Sequence, residues 1–285
     1  MTARGRKTRG AAGLLSAAMS CLPGVAWPDA GLVSFTFDDA SRTQYELGFP
    51  VTQAHGIRGT LFVVTEDADA ATREVARGKA AAEDSAEGDA AAYVPTSWAM
   101  TWDEIRQLRD AGWEIGSHTH THPHLPELDH AQVIREMETA LARIEAETGV
   151  TAVSFAPPYG DFSEETLDLA MDRHAYHLLA LGQENNGHNP VASVDPARID
   201  RFGVYNWTAP GSVCREMART EARKTWLVVM FHGFSEGAPG DYEIRVDALR
   251  DIMACARALE DGGHIRVAPV AEAMNLIRVT TAAPD

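Results

Sequence analysis

The sequence predicts an α/β fold, namely a distorted β/α barrel of about seven strands. Apolar strands and amphipathic helices alternate seven or eight times, which is typical of a parallel sheet with crossover helices. The length of 285 residues suits one large α/β domain. Polar residues follow several strands directly, at the end where β/α barrels carry their active sites. A doubly wound open sheet is the alternative arrangement.

The composition is that of a globular protein without a nucleic-acid partner. Hydrophobic residues make up 45% of the chain and charged residues 23%, as in ordinary soluble domains. The net charge of -16 opposes binding to a phosphate backbone, which requires a basic surface. No apolar run reaches the roughly 18 residues that a membrane-spanning helix needs. We therefore expect no transmembrane segment, and the composition leaves the oligomeric state open.

The first 26 residues have the order of a secretory signal peptide. Four basic residues between Arg4 and Arg9 precede an apolar stretch at 11–22, and the small residues Gly24 and Ala26 suit cleavage. We expect residues 1–26 to be a signal peptide and the protein to be secreted or periplasmic. If this segment is not a signal peptide, a cytoplasmic location is expected instead.

The three cysteines form no CxxC motif, so they predict no cysteine metal site. Cleavage of the signal peptide would remove Cys21 and leave Cys214 and Cys255. These two residues could pair in an oxidising compartment. We nevertheless expect two buried free thiols.

The first elements follow from hydrophobic patterning. Val33–Phe37 alternates as a strand does, and Ser41–His55 is either a helix or an ordered loop. Thr60–Val64 is a continuous apolar strand of the kind that is buried on both faces of a sheet. Residues 66–97 are rich in Ala, Asp and Glu at their start, and we expect a partly helical surface insertion without a core of its own. It interrupts a catalytic domain at 31–280.

Capping signals place the central helices. Thr101 and Glu104 form a capping-box pattern that begins a helix ending near Gly112. Asp129 begins a long helix that Gly149 ends. The remaining predicted strands are Trp113–Gly116, Val153–Phe155, His177–Leu181, Arg198–Val204, Thr225–Phe231 and His264–Val267. The remaining predicted helices are Ser163–Arg173, Ala209–Arg223, Ile244–Asp261 and Pro269–Ile277, and Gly182–Pro196 is a polar loop.

Two groups of polar residues at strand ends suggest a metal site. Asp38 and Asp39 end the first strand, and neighbouring carboxylates require a cation, a proton or solvent to offset their repulsion. His118 and His122 are four residues apart and can point at one ion. With Asp39 they would give a zinc-type site with an open coordination position. We expect a divalent metal, with Zn²⁺ favoured and Co²⁺, Ni²⁺ or Mn²⁺ as alternatives.

The sequence resembles the polysaccharide deacetylase family, the NodB-like carbohydrate esterases of family 4. Four motifs in the family's order carry the resemblance, which covers residues 31–277. They are Thr36-Phe37-Asp38-Asp39, His118-Thr119-His120-Thr121-His122, Pro158-Tyr159-Gly160, and Val228-Val229-Met230-Phe231-His232.

The resemblance implies roles for residues of these motifs. The implied metal ligands are Asp39, His118 and His122. The implied catalytic groups are Asp38 as general base, His232 as general acid towards the leaving amine, and the backbone N–H of Tyr159 as oxyanion donor. Candidate substrate-contacting residues are Pro158, Tyr159 and Arg201.

Two departures from the family pattern stand out. Ala156 occupies a position where the family often has an arginine that pairs with the base aspartate. Arg201, on another predicted strand, is the candidate to replace it from across the barrel. The family's Asp and Trp that orient the catalytic histidine have no clear counterpart, since Asn206-Trp207 matches too weakly.

The implied function is metal-dependent hydrolysis of N-acetyl groups on an acetylated glycan, with release of acetate. One alternative is an O-acetyl esterase or small-amide hydrolase of the same fold. Another is a catalytically inactive carbohydrate-binding protein. The sequence does not identify the glycan. We expect Tyr45, Trp98, Trp102 and Trp207 to be core or rim residues, with stacking on sugar rings as the alternative.

Overall fold

The computed structural model describes residues 30–84, 96–180 and 186–282. The predicted signal peptide at 1–26 lies outside these residues. The strands are β1 (Gly31–Phe37), β2 (Thr60–Val63), β3 (Glu114–Ser117), β4 (Ser154–Phe155), β5 (Tyr176–His177), β6 (His188–Pro190), β7 (Phe202–Gly203), β8 (Thr225–Phe231), β9 (Gly233–Ser235), β10 (Glu243–Arg245) and β11 (Ile265–Val267). The α-helices are α1 (Phe49–Ala54), α2 (Thr65–Asp84), α3 (Trp102–Asp110), α4 (His130–Thr148), α5 (Glu164–Met171), α6 (Pro210–Arg223), α7 (Val246–Asp261) and α8 (Val270–Ala282).

The main sheet is built around β1. Its strand order is β5-β4-β3-β2-β1-β8-β6, with β11 also paired to β1 and β7 also paired to β8. All seven residues of β1 and of β8 are buried, as expected for strands covered on both faces. The pairing is parallel except between β6 and β8. The carboxyl ends of β1, β3 and β8 therefore point in the same direction.

Residues 196–204 join the two ends of the curled sheet. Ile199 bridges Leu178 next to β5, and the Leu179 N–H donates to the Ile199 carbonyl over 2.9 Å. A few residues later, β7 pairs with β8. The predicted distorted barrel is confirmed, and the predicted strand at 198–204 is a broken strand that supplies the closing contacts. Residue 201 lies between the two pairings.

Aromatic rings fill the centre of the largest core cluster. The Phe37 ring lies 5.4 Å from the Phe231 ring and 4.8 Å from the Trp113 ring, centroid to centroid. Gly59 lies directly against this group, since a Cβ there would be 2.6 Å from Phe37 and 2.9 Å from Trp113. Only glycine permits that approach without displacing a ring. The packing fixes the end of β1, from which Asp38 and Asp39 continue.

Helix α2 lies in the expected surface insertion. The described part of the segment is helical, and it packs on the domain through the buried Ala68 and Ala71. Asp69 accepts a hydrogen bond from the Trp102 indole at 2.7 Å and pairs with Arg143 at 2.5 Å. Small alanine side chains permit this close packing, which was not predicted from the sequence. No described helix is long and apolar enough to cross a membrane.

The predicted polar loop at 182–196 contains a strand. In the described part of that segment, β6 pairs antiparallel with β8. The Asn189 side-chain amide donates to the carbonyls of Gly187, Asp200 and Trp226 at 3.0–3.2 Å. One polar side chain thus links this strand to its surroundings, which a hydrophobic period cannot reveal. The short parallel pair β9 and β10 was not predicted either, and β10 includes Ile244 and Arg245, where the helix at 244–261 was expected to begin.

The expected free thiols are wrong, because Cys214 and Cys255 form a disulfide. It joins α6 to α7 with a Cα–Cα distance of 5.9 Å, which is usual for a disulfide. The two helices pack side by side next to β1 and β11. The cross-link therefore ties together two helices on the outside of the barrel that are 41 residues apart in the chain.

Replacing both cysteines, as Cys214→Ser with Cys255→Ser, should lower the free energy of unfolding by about 2–4 kcal/mol, because the unfolded chain gains conformational freedom. Urea unfolding under oxidising conditions measures this difference. Reductant should bring the wild-type protein close to the variant and leave the variant unchanged. Equal stability of the two proteins without reductant would contradict the prediction.

Candidate active site

Three of the strands carry the candidate site at their carboxyl ends. Asp38 and Asp39 follow β1, the histidine turn at 118–122 follows β3, and His232 follows β8. These residues line one cavity of about 380 Å³. Continuation of the β1–β8 ladder positions them, since the Asp38 N–H donates to the Phe231 carbonyl over 2.9 Å. The sequence motifs therefore meet at one place, as their strand-end positions predict.

The three predicted metal ligands converge. Asp39 Oδ1 lies 3.4 Å from His118 Nε2 and 3.4 Å from His122 Nε2, and the three ligand atoms lie within 4.8 Å of one another. Tetrahedral zinc with bonds of about 2.0–2.1 Å requires ligand atoms roughly 3.4 Å apart. Two imidazoles and one carboxylate are also a ligand set that zinc accepts. The residues fit a divalent cation.

Electrostatics at this cluster favours positive charge. Burial raises the pKa of Asp39, but hydrogen bonds from His118 and His122 outweigh it and bring that pKa well below its usual range. Burial lowers the pKa of His118, but its hydrogen bond to Asp39 and the charges of Asp38 and Asp39 produce a net increase. The two carboxylates thus favour a positive charge on the neighbouring imidazole of His118.

Backbone partners orient the histidines. His118 Nδ1 lies 2.7 Å from the Ala156 carbonyl, which directs Nε2 towards Asp39. The turn itself is held by Glu136 on α4, whose Oε2 accepts from the N–H groups of His120 and Thr121 at 3.0 and 2.8 Å. Glu136 was not identified in the sequence, because its role depends on the packing of α4 against the turn.

Left-handed backbone concentrates at the site. Seven described residues other than glycine have a positive φ, and five of them lie at strand ends that form the cavity: Asp39, Ala40, Thr119, His122 and Tyr159. Such conformations cost of order 1–3 kcal/mol each and persist where surrounding structure enforces them. Their concentration here indicates that the fold imposes side-chain directions needed for function.

Asp38 forms a buried ion pair with Arg201. Arg201 Nη1 donates to Asp38 Oδ1 over 2.7 Å, and Arg201 Nε donates to the Leu179 carbonyl over 2.6 Å. Burial raises the pKa of Asp38, but the charges of Arg201 and two nearby histidines outweigh it, so the pKa is below its ordinary value. The predicted pairing from across the barrel is present. The expected contact of Arg201 with substrate is wrong, because its side chain is fully buried.

Gln44 connects the ends of β1 and β8, and it was not identified from the sequence. Its Nε2 donates to the Asp38 carbonyl over 2.6 Å and also to the His232 carbonyl. Gln44 belongs to a short π-helical segment (Gln44–Gly48) that leads into α1, so the helical alternative for 41–55 describes most of this segment. A buried glutamine with two backbone partners fixes the spacing between Asp38 and His232.

His232 lies at the cavity without the orienting carboxylate of the family pattern. Within the part of the chain that the structure describes, its buried Nδ1 has no hydrogen-bond partner. Burial lowers the pKa of His232, against the opposing charges of Asp38 and Asp39. The imidazole is therefore mainly neutral near pH 7 when the site holds no other charge.

The other predicted residues have distinct places. Tyr159 is exposed at the cavity rim, whereas Pro158 is buried and Pro157 lines the cavity instead. His120 points away from the ligands, with Nδ1 2.8 Å from Thr65 Oγ1. Trp102, one of the four aromatic residues considered for sugar stacking, is a core residue. Two further histidines lie nearby in the sequence: His124 stacks on Tyr159, and His130 contacts Glu165.

Arg201→Met should lower the free energy of unfolding by about 3–5 kcal/mol, because it leaves Asp38 buried without its countercharge. Urea unfolding at pH 7 in chelator measures the change. Arg198→Met is a matched control on the same segment, since the Arg198–Glu164 pair is exposed and should contribute at most about 1 kcal/mol. Adding Asp38→Leu to Arg201→Met should recover part of the loss. A change no larger than that of the control would refute the role of the ion pair.

The chain is similar in sequence to known proteins over the part that carries its first motifs. The family model described as polysaccharide deacetylase matches residues 27–176. The uncharacterized protein YlxY of Bacillus subtilis (strain 168) is 23% identical over 174 residues, which cover 60% of this chain and 45% of YlxY. The chain therefore spans less than half of the length of this curated relative.

Solved structures share the fold at low identity. The Xyl-CE4 domain of a multidomain xylanase from the hindgut metagenome of Trinervitermes trinervoides has a TM-score of 0.51 at 15% identity, with 90% of this chain and 93% of that chain covered. The Streptococcus pyogenes deacetylase PplD gives 0.51 at 16%, covering 65% and 69%. A mutant of BA3943, a CE4 family pseudoenzyme with restored enzymatic activity, gives 0.52 at 19%, covering 87% and 68%.

These structural similarities establish the fold and leave the chemistry to the residues of this chain. The family model covers more than half of the chain, from ahead of β1 to the start of β5. That span includes the predicted ligands Asp39, His118 and His122, which converge in the structure. The chain belongs to the polysaccharide deacetylase family.

Proposed function

We propose that the chain is a metal-dependent deacetylase that hydrolyses N-acetyl groups of a carbohydrate and releases acetate. The convergence of Asp39, His118 and His122 beside an ionised, arginine-paired Asp38 carries this proposal. An inactive binding protein has no need for that combination, because a buried carboxylate costs desolvation energy. O-acetyl esters and small amides remain outcomes to be distinguished by the choice of substrate.

Asp39, His118 and His122 would hold a divalent cation, with Zn²⁺ favoured by the two imidazoles. When bound, the cation would acidify water and polarise a carbonyl oxygen. The remaining steps belong to the side chains around it. The ligand cluster supplies one carboxylate and two neutral donors, so a divalent charge would not be fully cancelled.

Asp38 would act as the general base. Its low pKa makes it a weak base, so it can accept a proton only from strongly acidified water. Arg201 keeps it ionised and keeps Oδ1 fixed at 2.7 Å. Its neighbour Asp39 belongs to the ligand cluster, so the two adjacent carboxylates have separate tasks.

His232, at the end of the strand paired with β1, would protonate the leaving amine. Gln44 holds its backbone at a fixed spacing from Asp38. A lowered pKa makes a protonated His232 a strong acid towards an amine. The Tyr159 backbone N–H, in the position implied by the family motif, would donate to the developing oxyanion, a contribution of about 3 kcal/mol for such a donor.

We also propose that the protein is exported. The basic and apolar order of residues 4–26 supports this, and so does the Cys214–Cys255 disulfide, because disulfides persist in oxidising compartments. Cell fractionation with an antibody against the domain tests the proposal. Accumulation of uncleaved protein in the cytoplasm would refute it.

Asp39→Ala should abolish stoichiometric metal binding, whereas Asp38→Asn should retain the metal and lose acetate release by about 10²-fold or more, because only the proton acceptor is removed. Elemental analysis and an acetate assay measure the two properties separately. Ser163→Ala, which removes a remote helix cap, should change neither. Retention of one metal per chain by Asp39→Ala would refute the ligand assignment.

The function is tested by acetate release from N-acetylated oligosaccharides, acetylated xylan oligomers and a small aryl acetate, before and after treatment with chelator and readdition of zinc. Chelator-sensitive release from N-acetylated sugar supports the proposal. Release from the esters alone identifies an esterase. Sugar binding without release from any substrate identifies an inactive binding protein.

The acid limb of the kcat/KM profile should move to higher pH in Arg201→Gln. Asp38 acts in its ionised form, and the Arg201 charge lowers its pKa; without that charge, burial dominates and raises the pKa. As the pH is lowered, the variant would therefore lose activity at a higher pH than the wild type does. Arg201→Lys, which keeps the charge, should move the limb less. An unshifted limb in Arg201→Gln would show that Asp38 is not the titrating base.

A further inference from the structure

Exposed aromatic rings lie at the cavity. Among the described residues, five large hydrophobic side chains are strongly exposed, and three of them are at or next to the cavity: Tyr159 at 58%, Trp207 at 70% and Tyr242 at 64%. Tyr159 packs on His122 and His124, whereas Tyr242 lies next to His232. Isolated exposed rings are common, but a group of them at a cavity mouth marks a binding surface. This grouping is unexplained by the residues assigned so far.

Tyr205, Trp207 and Tyr242 form a continuous aromatic platform. The Tyr205 ring stacks on Trp207 at 4.9 Å and 21°, and Tyr242 meets Tyr205 edge to face at 6.0 Å. Tyr242 also lies 5.5 Å from the His232 ring, and Tyr205 lies 6.4 Å from it. Tyr205 and Tyr242 line the cavity itself, while Trp207 extends the surface outward.

The platform is held in place by local contacts. The Tyr205 N–H donates to Thr208 Oγ1 over 3.0 Å, and the Thr208 N–H donates back to the Tyr205 carbonyl over 2.8 Å. The Tyr205 ring lies over Gly203, where an added Cβ would be 2.5 Å from the phenol oxygen. The Gly233 N–H donates to the Tyr242 carbonyl over 3.1 Å. A prearranged surface lowers the entropic cost of binding.

We infer that the Tyr205–Trp207–Tyr242 platform is a sugar-binding subsite for pyranose rings linked to the one that is deacetylated, so that the enzyme acts on a glycan chain and not on a monosaccharide. This rests on the proposed function. His232 would protonate the nitrogen of the leaving sugar, so the sugar must lie on the side of His232. The platform begins there and continues outward.

The chemistry of the surface suits a neutral or amine-bearing sugar chain. The apolar C–H face of a pyranose packs on an aromatic ring while its hydroxyl groups stay in water. Asn206 and Asp241, 3.4 Å apart at the platform edge, offer hydrogen-bonding groups to such hydroxyls. Trp207 has one face on Tyr205 and is mostly exposed, so its other face is available for a second ring.

Trp207→Ala tests the subsite with Trp98→Ala as a matched control, because Trp98 is 54% exposed but does not line the cavity. The probes are N-acetylglucosamine and its β-1,4-linked and β-1,6-linked tetramers. Trp207→Ala should raise KM for the better tetramer by about five- to tenfold and raise KM for the monosaccharide less. Trp98→Ala should alter neither. An unchanged ratio of the two KM values in Trp207→Ala overturns the inference.

A binding measurement separates this inference from the proposed function. Asp38→Asn alone and with Trp207→Ala are titrated with the same tetramers in a calorimeter. Weaker binding after loss of Trp207 supports the platform. If the wild type then releases no acetate, the proposed deacetylase function is refuted and the platform is not. The platform is overturned if Asp38→Asn binds neither tetramer. It is also overturned if Asp38→Asn and the double variant with Trp207→Ala bind equally well. Both conclusions hold even if the wild type is active.

Discussion

The buried ion pair between Arg201 and Asp38 is the interaction on which the site depends most. Arg201 comes from the segment that closes the barrel, and its guanidinium also binds the Leu179 carbonyl and lies 5.6 Å from the centre of the Phe62 ring. Removing one partner of a buried charge pair leaves an uncompensated charge, which is strongly destabilising. Closure of the barrel and ionisation of Asp38 are therefore coupled through the Arg201–Asp38 contact. The segment 196–204 has only short strand pairings of its own, so the Arg201–Asp38 ion pair helps to hold it in place.

The position of that arginine explains how Ala156 is accommodated. In this chain the backbone at Ala156 instead orients His118, a predicted metal ligand, because the Ala156 carbonyl lies 2.7 Å from His118 Nδ1. A guanidinium reaching Asp38 from Arg201, the residue before β7, leaves that contact intact. The two adjacent carboxylates then face different partners, because the left-handed backbone at Asp39 directs it to the histidines while Asp38 faces Arg201. Repulsion between them is offset on both sides.

The sequence was sufficient where chemistry is local. The ligands and the base occupy short motifs at strand ends, and parallel strands bring such ends together, so Asp38, Asp39, His118, His122 and His232 could be grouped in advance. Gln44 and Glu136 could not, because they act through backbone groups distant in sequence. The core packing of α2 and the strand β6 were missed for a related reason. Small or polar side chains such as Ala68 and Asn189 make contacts that no hydrophobic period records.

The same closing segment connects the proposed general base to the proposed sugar-binding platform. Arg201 and Tyr205 are four residues apart in the sequence. Arg201 points into the barrel against Asp38, whereas Tyr205 lines the cavity beside His232. Gly203 between them is fixed by β8 and by the ring that covers it. A shift of this segment would therefore move the countercharge of the base and the aromatic wall together. If the aromatic residues bind a glycan as proposed, changes that adapt them to a different glycan must preserve the 2.7 Å contact at Asp38. This constraint favours variation at Trp207 and Tyr242, which lie outside the segment that carries Arg201.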